Sequence, residues 1–330
     1  MCESVTTGFF QNCLGLDVFY KIWEPREARA NVLFVHGHGE HISRYDEVFA
    51  KFAKSGIKVL GFDQVGCGET GKRANDIGGV RGLEQLLHDI TVAIAWIHKN
   101  GTPLFLMGHS FGGCAVLNYV ARGEKRHFIH GAIASAPTIE ITKNLMPCVM
   151  VQVPAVVLSF FTPWLKVSPG FDVSTLCRKK EVVEAYKSDP LICFDSALIQ
   201  LKDILLGGQR LLQKDHKNIT VNNLLIAHGT ADAIASYETS VYLAEKLSPL
   251  ENIAHFEMET FSGLYHDLMF EPESDEVLNP NHFSLLLGNF NLYQLDPHPS
   301  QQTQMRTSAQ INWEYPHVTS PDSHTSQRER

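Results

Sequence analysis

The sequence predicts an α/β protein: a mostly parallel central sheet flanked by helices, with a helical cap inserted into it. Three observations lead there. From residue 16 to about 136, short β-branched and aromatic runs alternate with longer helical patterns, the signature of βα units. After Ala136-Pro137 the alternation stops, and residues 138–219 hold Pro-rich, apolar and then charged helical segments without clear strands. The sheet pattern resumes at Val221–Ala227 and again at His255–Thr260.

Taken in order, strands are expected at Asp17–Trp23, Asn31–Val35, Lys58–Phe62, Pro103–Met107 and Ile129–Ala134. Gly82–His98 reads as a helix because Leu83, Leu86, Leu87, Ile90, Ala93, Ile94 and Ile97 recur at spacings that place them on one helical face. The chain therefore divides into a first core part at 1–137, a cap at 138–219, a second core part at 220–278 and a divergent segment at 279–330. Open α/β sheets bind ligands beyond the carboxyl ends of their strands, so a cap inserted there would roof a site. From Asp296 to Arg330 only six of 35 residues are apolar. That is too few to offset the entropy of ordering the segment, and a disordered tail is expected.

Composition excludes other classes. Of 330 residues, 44% are hydrophobic, which rules out disorder as the main state. The net charge of −8 provides no basic field for a phosphate backbone, so no nucleic-acid partner is expected. The seven cysteines are scattered, with no Cys-x-x-Cys, and no signal-peptide core precedes residue 16. Both features point to a reducing, cytoplasmic setting. Leu145–Leu165 is uncharged and near the length of a membrane span, but it contains Pro147, Pro154, Pro163 and Gln152. It reads better as an apolar surface element than as a transmembrane helix.

The chemistry is concentrated at Gly108-His109-Ser110-Phe111-Gly112-Gly113, a Gly-x-Ser-x-Gly motif directly after an apolar strand and before the helical run Cys114–Arg122. Alone, the five residues could be a glycine-rich turn. Between a strand and a helix they describe a nucleophile elbow, in which the serine is lifted from the sheet and the N–H of Phe111 faces the developing oxyanion. A serine hydroxyl needs a base, and the base needs an orienting carboxylate. In elbow enzymes these follow in the order acid, then histidine. Asp232 lies just beyond the Gly turn that ends the strand Val221–Ala227, and His266 lies in the loop after His255–Thr260. Asp232 could instead cap a helix at Ser236–Leu247, Asp267 could be the acid, or His228 the base. Adjacency of Asp267 to His266 and chain order favour Asp232 with His266. The loop His36-Gly37-His38-Gly39 supplies a second oxyanion donor, the backbone N–H of His38. His36, His38 and His41 have no acidic or cysteine partner at metal-site spacing, and no Gly-x-Gly-x-x-Gly loop occurs in a βαβ setting. Neither a metal nor any other cofactor is called for.

With those residues in place the sequence resembles the monoacylglycerol lipases of the α/β-hydrolase fold. The matching stretches are His36-Gly-His-Gly-Glu-His41 with Arg44-Tyr45, Gly108–Gly113, Ala134–Pro137, Ser188–Cys193, His228–Asp232, and Tyr265-His266 with Glu271–Glu273. They span roughly residues 16–278 in family order. The resemblance implies hydrolysis of monoacylglycerols to glycerol and fatty acid through an acyl-serine, with Ser110 as nucleophile, Asp232 as acid, His266 as base and His38 and Phe111 as the oxyanion hole. It also implies that Glu40, Arg44 and Tyr186 hold the glycerol end, and that 145–165 is a lid giving peripheral membrane contact; a homodimer is compatible with it. Cys193 is similar to a cap cysteine of the family. Alternatives are another acyl ester, such as a lysophospholipid or short-chain ester, or a catalytically weak lipid-binding variant. His38 occupies a position where the family usually has a small residue. Two further departures stand out: Gly66-Cys-Gly-Glu-Thr70 stands where the family usually reads Gly-His-Gly-x-Ser, and the resemblance ends near Leu278, where Asn279-Pro280-Asn281 would break a final helix.

Overall fold

The computed structural model describes residues 2–98, 101–168 and 170–278. The expectations for 279–330, a divergent and disordered tail with a broken final helix, lie outside the described residues. The chain opens with an antiparallel pair, β1 (Cys2–Gln11) and β2 (Asp17–Pro25). The connection between them is set by Asn12, whose Oδ1 accepts from the N–H of Leu14 and Leu16, and by Gly15 at φ 72°. Then follow β3 (Ala30–Val35), α1 (Asp46–Lys54), β4 (Ile57–Phe62), α2 (Gly68–Arg73), α3 (Gly82–Ile97), β5 (Leu104–His109), α4 (Phe111–Arg122) and β6 (Ile129–Ser135). The strands expected from 17 to 134 are all present, with ends shifted by two residues or fewer. The strand at 2–11 was not foreseen; it is the sheet edge, and Val5 and Phe9 are exposed instead of marking a buried face.

After β6 come α5 (Val149–Phe161), β7 (Lys166–Val167), α6 (Lys180–Ser188), β8 (Ser196–Ala197) and α7 (Leu198–Gln213). Among the described residues the short strands β7 and β8 pair with each other, apart from the main sheet. The sheet resumes with β9 (Val221–Gly229), α8 (Tyr237–Leu247), β10 (Ile253–Phe261) and the single turn α9 (Ser274–Val277). Among the described residues no helix is long and apolar enough to cross a membrane.

Eight strands form one sheet in the order β1-β2-β4-β3-β5-β6-β9-β10, antiparallel at β1-β2-β4 and parallel from β4 to β10. Successive strand residues face opposite layers, and both layers are apolar. Leu33, Val35, Leu60, Leu106 and Ile226 pack with α3, α4 and α8, while Val32, Phe34, Val59, Phe105 and Leu225 pack with Phe49 and Phe52 of α1. Leu211 and Leu212, at the end of α7, join the first of these layers. The parallel strands thus deliver their carboxyl ends, and the loops that follow, to one edge.

Candidate active site

The elbow is built at that edge. Ser110 sits between the last residue of β5 and the first of α4 at φ 55° and ψ −121°, a conformation that L-residues avoid at a cost of roughly 1–3 kcal/mol. Main-chain bonds hold it there. Its N–H donates to Ser135 O at 2.9 Å, and its carbonyl accepts from Thr138 N at 3.0 Å and Cys114 N at 3.1 Å. The flanking glycines have no room for a side chain: a Cβ at Gly108 would strike the carbonyl of Gly112, and one at Gly112 the carbonyls of Val35 and His36. Phe111 begins α4, so its N–H is one of the four that have no partner inside the helix.

Ser110, His266 and Asp232 are brought into one hydrogen-bonded line. Ser110 Oγ lies 2.8 Å from His266 Nε2, and His266 Nδ1 lies 2.7 Å from Asp232 Oδ2. A carboxylate can only accept, so Nδ1 carries the proton and Nε2 presents its lone pair to the serine hydroxyl. Asp232 is fixed by donors on both oxygens. Oδ1 accepts from Ile234 N (2.8 Å) and Ala235 N (3.0 Å), and Oδ2 also accepts from His228 Nε2 (3.0 Å). Burial opposes its charge, but the facing His266 and the hydrogen bonds from His228 and His266 outweigh that and hold the carboxyl well below the usual range. Burial likewise opposes a charge on His266, yet Asp232, Asp267 and Glu40 together raise its pKa.

The competing assignments separate. The cap of α8 is Ser236, whose side chain accepts from Thr239 N, not Asp232. His228 turns to Asp232 and, through Nδ1, to Ser240 Oγ at 2.8 Å, away from Ser110. Asp267 faces His109 Nε2 (3.1 Å) and Arg44 (3.0 Å). Arg44 also pairs with Glu40, whose Oε1 accepts from Gly37 N at 2.5 Å and Tyr45 Oη at 2.7 Å, and its guanidinium lies over the rings of Tyr186 and Phe270. Glu40 and Arg44 are thus an ion pair within a network, Arg44 lying in a short 3-10 turn at Ile42–Tyr45 and the buried Glu40 just before it. The partners missed by sequence reading are Thr138, whose Oγ1 is 3.0 Å from Ser110 Oγ, and the contacts of Asp267 with His109 and Arg44; the pairing of Glu40 with Arg44 four residues on is the one their spacing allows.

The loop after β3 is clamped as well. His36 Nδ1 donates to Gly37 O (2.8 Å) and its Nε2 accepts from Gln64 N (3.0 Å), while burial pushes its pKa down to about 4. His41 turns to Asp189, so His36 and His41 have separate partners. Among the described residues one group could gather around a metal ion, namely His109, His266 and Asp267. Both nitrogens of His266 already serve Ser110 and Asp232, and Asp267 pairs with Arg44, which makes the group a hydrogen-bond and ion-pair network.

Above Ser110 opens a cavity of about 610 Å³. Gly37, His38, Glu40, Arg44, Thr138 and Tyr186 are at its wall with the serine and His266, and Leu145, Val151, Leu158, Leu201 and Ile204 make the rest largely apolar. The family profile described as serine aminopeptidase, S33, matches residues 26–273. A monoacylglycerol lipase of Mycolicibacterium smegmatis is 30% identical over 270 residues, covering 80% of this chain and 91% of that protein. The chain belongs to the monoacylglycerol lipase family of α/β hydrolases. The hydrolase is also 29% identical to the monoglyceride lipase of Homo sapiens over 81% of its own length and 85% of that protein's. The crystal structure of the Paleococcus ferrophilus monoacylglycerol lipase superimposes with a TM-score of 0.71 at 27% identity, over 82% of this chain and 98% of that one.

Proposed function

We propose that the hydrolase cleaves monoacylglycerols to glycerol and free fatty acid by two-step acyl transfer. The observation that carries this reading is a largely apolar cavity of about 610 Å³ with Ser110 and His266 of the Ser110–His266–Asp232 line in its wall. His266 takes the Ser110 proton as the hydroxyl attacks the ester carbonyl, and Asp232 stabilises the imidazolium that forms. The backbone N–H groups of His38 and Phe111 receive the oxyanion. His266 then protonates the departing glycerol, and water activated by the same imidazole releases the fatty acid.

Residues 1–137 and 220–278 serve as the catalytic core and 138–219 as the cap. The cap gives peripheral membrane contact. Met150, Val153, Phe160, Phe161 and Trp164 are more than half exposed and adjoin the segment that lines the cavity, a placement suited to collecting lipid from a bilayer surface. Six described cysteines are free thiols, in keeping with a cytoplasmic site of action. Hydrolysis of a long-chain monoacylglycerol by the purified chain, set beside Ser110→Ala, tests the reading. The variant is expected to lose turnover and fluorophosphonate labelling, and undiminished labelling of it overturns the assignment. Profiling head groups on one acyl chain separates monoacylglycerol from lysophospholipid and short-chain ester.

A further inference from the structure

Ser110 has a partner that the Ser110–His266–Asp232 line does not use. Thr138 Oγ1 lies 3.0 Å from Ser110 Oγ, buried and in the wall of the cavity. The direction of that hydrogen bond follows from the protons available. His266 Nδ1 donates to Asp232, so Nε2 has only a lone pair, and the single hydroxyl proton of Ser110 goes to it across 2.8 Å. Ser110 has no proton left for Thr138, and the threonine hydroxyl therefore donates to Ser110 Oγ. Among the described residues it has no other hydrogen-bond partner.

The backbone holds the two hydroxyls together. Thr138 N donates to Ser110 O at 3.0 Å, a second link between the same two residues. Of the three described non-glycine residues with positive φ, two flank the contact: Ser110 at 55° and Ala136 at 43°, two residues before Thr138. Backbone of this kind persists only where its surroundings over-determine it. Ala136 N is tied to Ala227 O at 2.7 Å, and Gly113 lets the turn close on α4, since a Cβ there would meet Pro137 Cα at 3.1 Å.

Acceptor strength decides when the bond matters, because only an interaction that is stronger in the transition state than before it accelerates a step. In the free enzyme Oγ is an alcohol oxygen and already a good acceptor, so the bond changes little as Oγ attacks the substrate carbonyl. In the acyl-enzyme Oγ is the alkoxy oxygen of an ester, whose lone pair is drawn into the carbonyl, and it accepts poorly. When the C–Oγ bond breaks, its electron pair returns to Oγ and the acceptor becomes strong. A donor fixed 3.0 Å away gains most at that point.

We propose that Thr138 is a further catalytic residue, a hydroxyl donor to Ser110 Oγ that speeds release of the fatty acid from the acyl-enzyme. This rests on the acyl-serine reading above and assigns a residue to its second half. In that step His266 Nε2 takes a proton from water as the water oxygen bonds to the acyl carbon. The tetrahedral intermediate then collapses: the C–Oγ bond breaks, its electron pair stays on Ser110 Oγ, and the proton on Nε2 passes to that oxygen. Thr138 keeps its own proton and donates a hydrogen bond throughout.

The test is a single turnover of the p-nitrophenyl ester of a medium-chain fatty acid by wild type, Thr138→Val and Thr138→Ser. Release of p-nitrophenol measures acylation, and decay of the acyl-enzyme mass in quenched samples measures deacylation. Thr138→Val, which keeps the shape and loses the hydroxyl, is expected to slow the decay about tenfold or more while p-nitrophenol release stays within about threefold of wild type, and Thr138→Ser to recover most of the decay rate. If the valine variant does not fold, Thr138→Ala takes its place. Decay at the wild-type rate, equal slowing of both steps, or a loss that serine does not recover overturns the role of Thr138 alone. Turnover that survives Ser110→Ala overturns the acyl-serine reading, and this inference with it.

Discussion

Asp232 supports two imidazoles on one carboxylate, and that shapes how the site responds to pH. The raised pKa of His266 means that its neutral, base-competent form is lost at a higher pH than for an ordinary imidazole near 6.5. The acid limb of kcat/KM is therefore expected above pH 6.5. In Asp232→Asn the neighbouring charge is gone, so the limb moves to lower pH. The maximal rate falls by roughly 10⁴-fold as the imidazole loses its fixed tautomer. A pH–rate profile of both proteins reads the two effects separately, and an unmoved limb would show that Asp232 is not the residue raising His266.

At the scale of elements, the elbow depends on close contact between α4, β5 and the end of β3. Gly112→Ala places a methyl group against the carbonyls of Val35 and His36, backbone atoms that cannot swing aside. It is expected to lower stability by about 1–3 kcal/mol, read as a shift in the denaturant midpoint, with activity falling as the strand and helix part. On the cap, replacing Phe160, Phe161 and Trp164 together by Ser is expected to reduce binding to phospholipid vesicles at least about tenfold. Turnover of a dispersed short-chain ester should stay near the wild-type level. Each of these side chains is worth about 1.5–3 kcal/mol on full burial, and all are exposed here, so vesicle partition loses while the folded core does not. The elbow could be read from sequence because strand, turn and helix are contiguous over Leu104–Arg122. The edge strand β1 could not, since the buried Phe10 stands in no alternating apolar run and Val5 and Phe9 are exposed. Nor could the contact of Thr138 with Ser110 or of Asp267 with Arg44, where partners 28 and 223 residues apart meet only through the sheet order.

At the scale of the molecule, Glu40, Arg44 and Asp267 tie the loop after β3 to the loop after β10. Burial disfavours charge on both carboxyls, but Arg44 outweighs it, and both pKa values lie below the ordinary range. Groups depressed in this way stabilise the folded state above their unfolded values, near 4, and that contribution is lost as pH falls through the folded values. Stability from denaturant unfolding is thus expected to decline between pH 5 and pH 3. Arg44→Met leaves two buried carboxylates uncompensated and should cost about 3–5 kcal/mol at pH 7, with part recovered in acid as they protonate. A variant equally stable at both pH values would sink the idea that this network supports the fold.

The distance along the chain between Ser110 and His266 is 156 residues, and the order of strands sets when they can meet. During synthesis the elbow leaves the ribosome long before its base, and a sheet dominated by such remote pairings closes slowly. The elbow can take shape from local contacts, whereas the nucleophile gains its base only when β9 and β10 dock beside β6. On dilution from denaturant, recovery of esterase activity should therefore trail the return of helix signal, because reactivity in this chain is among the last things that folding creates.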